Sequence, residues 1–153
     1  MTPLCRVITD RISAFGPLPV AEYMSICLSD PRHGYYMTRD PFGRSGDFVT
    51  APETSQMFGE LVGAWLSAAW ENVGRPPQPL IAEIGPGRGT LMKDVVRTLD
   101  RIGPGLRATA SFHLIETSPR LAAAQAATLD GAGVRFHWHE RLEGLPEEGA
   151  LFL

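Results

Sequence analysis

One stretch constrains this chain more than any other: Glu83-Ile84-Gly85-Pro86-Gly87-Arg88-Gly89-Thr90. A short apolar run, Leu80 to Ile84, leads into it. Thr90 to Ile102 follows, with Leu91, Val95, Val96, Leu99 and Ile102 at helical spacing. A strand that becomes a helix through alternating glycines is the corner where open α/β sheets hold their ligands. The glycines let the backbone turn tightly and approach a ligand with no Cβ in the way. The N–H groups that open the helix favour an anionic group such as a carboxylate.

The rest of the second half fits such a sheet. Ser111 to Ile115 reads as a second strand. Ser118 caps a helix that has Pro119 at its first position and an alanine-rich body to Leu129. Val134 to Trp138 is predicted as a third strand, and Ala150 to Leu153 as the start of a fourth. Alternating strands and helices indicate a parallel sheet with right-handed crossovers. The sequence stops inside a strand, so the expected sheet is incomplete and resembles the front portion of a larger fold.

Upstream, Leu4, Val7, Ile8, Ile12 and Phe15 recur at helical spacing, and Gly16-Pro17-Leu18-Pro19 separates them from a second helix through Ala21, Met24 and Leu28. Asp30 to Glu53 is a long irregular stretch, a length uncommon without a function. Ser55 to Asn72 is a strong helix, in which Met57, Phe58, Leu61, Val62, Trp65, Leu66 and Trp70 form a broad apolar face; Trp65 and Trp70 are expected in the core. Gly74 to Pro79 is a linker by composition. Residues 1–79 are thus expected to be a helical and loop region bordering the active site, and residues 80–153 a partial Rossmann-like domain.

Charge and cysteine content exclude several functions. Fourteen basic and 17 acidic side chains give a net −3 with no basic block, which speaks against nucleic-acid binding. Cys5 and Cys27 make neither a CxxC nor a disulfide framework. His137 and His139 have spacing that could suit a metal, but no third ligand is evident, so no metal is expected. The first residues lack a secretory core, and no apolar stretch approaches the ~20 residues a bilayer requires. A cytoplasmic protein without membrane insertion is expected.

Three glycine-loop classes compete. A P-loop requires Gly-Lys-Ser/Thr after four intervening residues, and Thr90 occupies the position of the second glycine. The dinucleotide fingerprint Gly-x-Gly-x-x-Gly also requires glycine at position 90. The remaining class, an acidic residue before Gly-x-Gly-x-Gly, binds S-adenosylmethionine. Charge separates the last two. A pyrophosphate beside Glu83 would be repelled, because two unit charges ~4 Å apart interact by about 4 kcal/mol at an effective dielectric of about 20. A sulfonium and an ammonium would instead be attracted. Glu116 ends the next strand, where a carboxylate can accept both ribose hydroxyls of a nucleoside.

Leu80 to Met92 resembles motif I of a class I methyltransferase. The strings Gly34-Tyr35-Tyr36-Met37, Asp40-Pro41-Phe42-Gly43, Gly46-Asp47-Phe48-Val49-Thr50-Ala51-Pro52-Glu53 and Ser55-Gln56-Met57-Phe58-Gly59-Glu60-Leu61 are more specific, and with them the chain resembles the MidA-like family. That family includes the mitochondrial complex I assembly arginine methyltransferase and its bacterial relatives. The resemblance implies a Rossmann-like class I methyltransferase sheet and S-adenosyl-L-methionine as methyl donor. It implies a protein arginine as acceptor, with a respiratory complex I subunit as one candidate, and a mitochondrial location in the eukaryotic members. It implies that Glu83, Gly85, Gly87, Gly89 and Glu116 hold the cofactor. It also implies that the Gly46 to Glu53 segment, through Gly46, Asp47 and Thr50, packs over the cofactor and borders the acceptor site. Family members continue past Leu153 into an Asn-Glu-Phe-containing segment at the active site. No catalytic residue is therefore assigned, impaired affinity and little turnover are expected of these 153 residues, and the unpaired edge of the fourth strand invites self-association.

Methyl transfer is an in-line displacement that depends mainly on positioning. A guanidinium nucleophile must be oriented by carboxylates, which can also accept its proton; Asp47, Glu53 and Glu60 are the candidates here. Each also has a plain structural role open to it: a turn for Asp47, the N-terminal charge of a helix for Glu53, an exposed helix position for Glu60. Tyr35 and Tyr36 suit either core packing or a pocket lining. Two other functions stay open, a non-catalytic remnant that retains the loop and, less favoured by Glu83 and Thr90, a dinucleotide oxidoreductase. A side chain at Gly87 is expected to obstruct the ligand.

Overall fold

The structure is a computed structural model and describes residues 1–39, 41 and 46–152. Asp40, Phe42, Gly43 and Leu153, named above, lie outside the described residues. The chain divides into two units, Met1–Pro41 and Phe42–Leu153. The division expected at residue 79 therefore falls inside the second unit. The linker at Gly74 to Pro79 has Arg75 and Gln78 at positive φ.

In the first unit, α1 (Pro3–Phe15) starts where Thr2 Oγ1 accepts the Cys5 N–H at 3.2 Å and stops at Gly16, whose φ of 86° few other residues adopt. Then comes α2 (Val20–Ser29), and Asp30 turns the chain by accepting the N–H groups of Arg32 and His33 at 3.0 and 2.8 Å. The stretch expected to be irregular holds two short helical turns, α3 (Tyr35–Thr38) here and α4 (Ala51–Thr54) in the second unit.

The second unit continues with α5 (Gln56–Asn72), capped by Ser55. After β1 (Leu80–Ile84) and α6 (Thr90–Ile102), Gly103 breaks the helix, but Pro104 starts another, α7 (Pro104–Thr109), where only a break was expected. Next are β2 (Ser111–Ile115) and α8 (Pro119–Leu129). The third strand, β3 (Phe136–His139), starts two residues later than its sequence suggested, and β4 (Leu151–Phe152) pairs beside β1.

The four strands are parallel, in the order β3-β2-β1-β4. The chain steps outward from β1 to β3 and then returns to the other side of β1. The carboxyl ends of β1 and β4 therefore flank the switch point at which such sheets bind ligands. Register aligns Ile81, Phe112, Phe136 and Phe152 on one face, which packs on Leu66, Val95 and Leu99 of the helices. Glu83, two residues after Ile81, points to that same face.

On the opposite face, His113 stacks on His137 and His139, with its Nδ1 2.8 Å from His139 Nε2. Burial, reinforced by those two rings, pushes His113 down to about 4. Its folded pKa lies below the unfolded value, so stability falls as pH drops from about 6.5 towards 4.

Helices α5 and α6 approach closely because of two glycines. A Cβ on Gly59 would lie 2.4 Å from Asp94 Cβ, and one on Gly63 2.9 Å from Thr98 Cβ. The broad apolar face expected on α5 is only partly buried. Leu66 and Trp70 enter the core, whereas Trp65 is 62% exposed and Met57, Phe58 and Leu61 are also exposed. Periodicity marks a face as apolar, but the glycines decide which side meets α6. Gly59→Val should therefore destabilise the protein by about 3 kcal/mol, as overpacking does. Thermal denaturation should show a melting point about 10 °C lower.

Candidate cofactor-binding site

The loop between β1 and α6 adopts a shape that sequence alone suggested. Gly85, Gly87 and Gly89 all have positive φ, at 62°, 56° and 82°. Among the described residues a Cβ on Gly85 would meet nothing within 4 Å, so its missing side chain leaves open space. Gly89 is the left-handed residue that opens α6.

Above the loop is a cavity of about 130 Å³ lined by Thr50, Pro52, Glu53, Glu83, residues 85–88, Thr90 and Leu91. Part of the upstream string thus folds over the glycines. The tie between them is specific: Thr90 Oγ1 donates to Glu53 Oε1 at 2.7 Å, and Arg88 Nη1 lies 3.9 Å from Glu53 Oε2. Thr50 caps α4 with its carbonyl, which accepts the N–H groups of Glu53 and Thr54.

Glu83 is the most perturbed group at this site. Its Oε2 is buried with no hydrogen-bond partner among the described residues. Burial pushes its carboxyl up to about 7, opposed by the Met92 backbone N–H. The side chain also lines a second, largely apolar cavity of about 290 Å³ bounded by Trp65, Ile81, Met92 and Phe152. A carboxylate between an apolar space and a glycine cradle is short of one partner. A cationic ligand would supply it.

Glu116, just past the end of β2, is held firmly. Its Oε1 accepts the Ser118 N–H at 2.8 Å, and its Oε2 accepts Gln125 Nε2 at 3.0 Å. It lies outside the lining of the 130 Å³ cavity. So do half-buried Gly46 and exposed Asp47. Glu60 points elsewhere, accepting from Gln56 at 2.6 Å and lying 3.5 Å from Arg97. Tyr35 and Tyr36 are in the first unit, packed edge to face at 5.1 Å.

Sequence reasoning missed Gln125. It is completely buried and bonds to the loop carbonyl of Gly87 as well as to Glu116. The available signal was a single amide among five alanines, on the side of α8 that carries Leu121 and Leu129.

A family model described as "putative S-adenosyl-L-methionine-dependent methyltransferase" matches residues 61–153. The chain belongs to this MidA-like methyltransferase family. It is 41% identical to the mitochondrial protein arginine methyltransferase NDUFAF7 homolog of Drosophila melanogaster, a match covering 98% of this chain and 38% of the fly protein. It is 44% identical to Homo sapiens mitochondrial protein arginine methyltransferase NDUFAF7 over 84% of this chain and 30% of that one. The crystal structure of a COG1565 superfamily member from Burkholderia thailandensis, bound to S-adenosyl-homocysteine, superposes with a TM-score of 0.76 at 28% identity. That match covers 97% of this chain and 39% of the other. The chain therefore spans about two fifths of the length of the fly and Burkholderia proteins. The incomplete Rossmann-like α/β fold expected from the sequence agrees with these matches. Among the described residues, no helix is long and apolar enough to cross a membrane.

Proposed function

We propose that this chain binds S-adenosylmethionine over the glycine loop and takes part in methylating a protein arginine. The observation that carries this is the Glu83 carboxyl, whose buried Oε2 lacks a partner among the described residues, beside Gly85, whose absent side chain leaves room. A dinucleotide would bring a diphosphate against that carboxylate and be repelled.

In this proposal Glu83 attracts the ligand's positive charge, Gly85 and Gly87 admit its backbone-like moiety, Gly89 turns the loop into α6, and the start of α6 favours its carboxylate. Glu116 accepts the ribose hydroxyls. Gly46, Asp47 and Thr50 belong to the covering segment, and Glu53, fixed by Thr90 and Arg88, braces that segment on the loop. When bound, the donor supplies an electrophilic methyl group on sulfur. The chain's own residues contribute orientation and exclusion of water. The proposed acceptor is a guanidinium, as the relatives' names suggest. A subunit of respiratory complex I remains the finer candidate, and self-association would use the two-residue β4 edge.

Calorimetric titration of the purified chain tests this directly. S-adenosyl-homocysteine and S-adenosylmethionine should bind at one site, and NAD should give no heat beyond dilution. Binding of NAD with no response to the sulfur ligands would sink the proposal. A methylation assay on an arginine-containing protein, read by mass spectrometry, tests the acceptor separately.

A further inference from the structure

Gln125 makes more of its polar capacity than its alanine-rich helix would suggest. Its side chain is 0% exposed. A buried primary amide is costly unless bonded. Here Nε2 donates to the Gly87 carbonyl at 2.9 Å and to Glu116 Oε2 at 3.0 Å, while Oε1 accepts the Trp138 indole N–H at 3.0 Å. The indole nitrogen can only donate, so it fixes which way the amide faces. With Oε1 held by Trp138, the two Nε2 hydrogens must face the two acceptors. One side chain thereby joins the loop after β1, the end of β2 and strand β3.

Each Glu116 oxygen already accepts one hydrogen bond, from Ser118 or from Gln125. The carboxylate is thus locked in one rotation, with lone pairs left for two further donors. The backbone of Gly89 packs on the same glutamine: a Cβ there would sit 3.5 Å from Gln125 Cα, Cβ and Cγ.

We propose that Gln125 is a positioning residue that sets the spacing and rotation of Glu116 relative to the glycine loop, so that a nucleoside ligand is gripped at the loop and at its ribose together. Trp138 acts behind it by holding the amide in the donating orientation. This inference rests on the proposed nucleoside site and adds residues that do not themselves touch the ligand.

The test compares S-adenosyl-homocysteine with its 2′-deoxyribose analogue by calorimetry, on the full chain and its variants. The wild-type chain should prefer the complete ribose by at least tenfold. Gln125→Met, similar in size and apolar, should bind S-adenosyl-homocysteine ten- to a hundredfold more weakly and lose most of that preference, because Glu116 is no longer held. Trp138→Phe, which keeps the amide but frees its orientation, should show an intermediate loss of preference, and it serves if Gln125→Met fails to fold. A merely structural role would weaken both ligands equally, so an unchanged preference ratio in folded Gln125→Met or in Trp138→Phe overturns the inference. If the wild-type chain binds neither ligand, the nucleoside site itself is wrong and the inference falls with it.

Discussion

Glu83→Gln should make the protein more stable and its ligand binding weaker. The folded-state pKa of Glu83 is raised from 4.5 to about 7 by burial. The folded state therefore holds more protons than the unfolded one between those values, and stability is lost as pH rises through this window. At pH 8 the ionised, desolvated carboxylate costs on the order of 3 kcal/mol, since each pH unit between the two values contributes about 1.4 kcal/mol. The neutral amide removes most of that cost. Thermal denaturation at pH 8 should show a melting point raised by about 5–10 °C, while at pH 4.5 variant and wild type should nearly coincide. Binding should move the other way. A charge-assisted bond contributes about 1.5–3 kcal/mol, so the affinity for S-adenosylmethionine should fall at least tenfold. Wild-type affinity should also decline about tenfold per pH unit below 7, with proton release on binding near neutrality; the variant should show neither. A variant that binds as well as wild type across pH 5–8 would remove Glu83 from the site. Stability held back by a functional group is a common trade-off.

Gly85→Val should abolish binding at a moderate cost in stability. At φ 62° a β-branched residue is strained by roughly 1–2 kcal/mol or somewhat more. The new side chain enters the open space beside Glu83 rather than the core, so the fold should survive. Titration should show a loss of at least a hundredfold in S-adenosyl-homocysteine affinity. Gly89→Ala is the matched control. Its φ of 82° brings similar strain, but its Cβ meets Gln125 at an ordinary 3.5 Å, away from the open space. It should lose similar stability and much less affinity. Equal losses of affinity in the two variants would mean that loop strain, and not occlusion, controls binding.

Features that depend on neighbouring residues were legible in the chain itself. The glycines at 85, 87 and 89 adopt positive φ because little else does so cheaply, and Ser55 and Ser118 cap helices through their own following N–H groups. The strand and helix order, and the acid under the loop, follow from the same local rules. Which distant groups share a space was settled by folding. Sheet order placed β4 beside β1, and folding buried Glu83 Oε2 with no partner among the described residues. Folding brought Glu53 onto Thr90, 37 residues away, and Gln125 onto Gly87, 38 residues away. It also left Trp65 in the open, because close approach at Gly59 and Gly63 turns a different side of α5 to its neighbour. Periodicity and capping are properties of a few adjacent residues. Burial, and the pKa and hydrogen bonding that depend on it, belong to whatever the fold brings alongside.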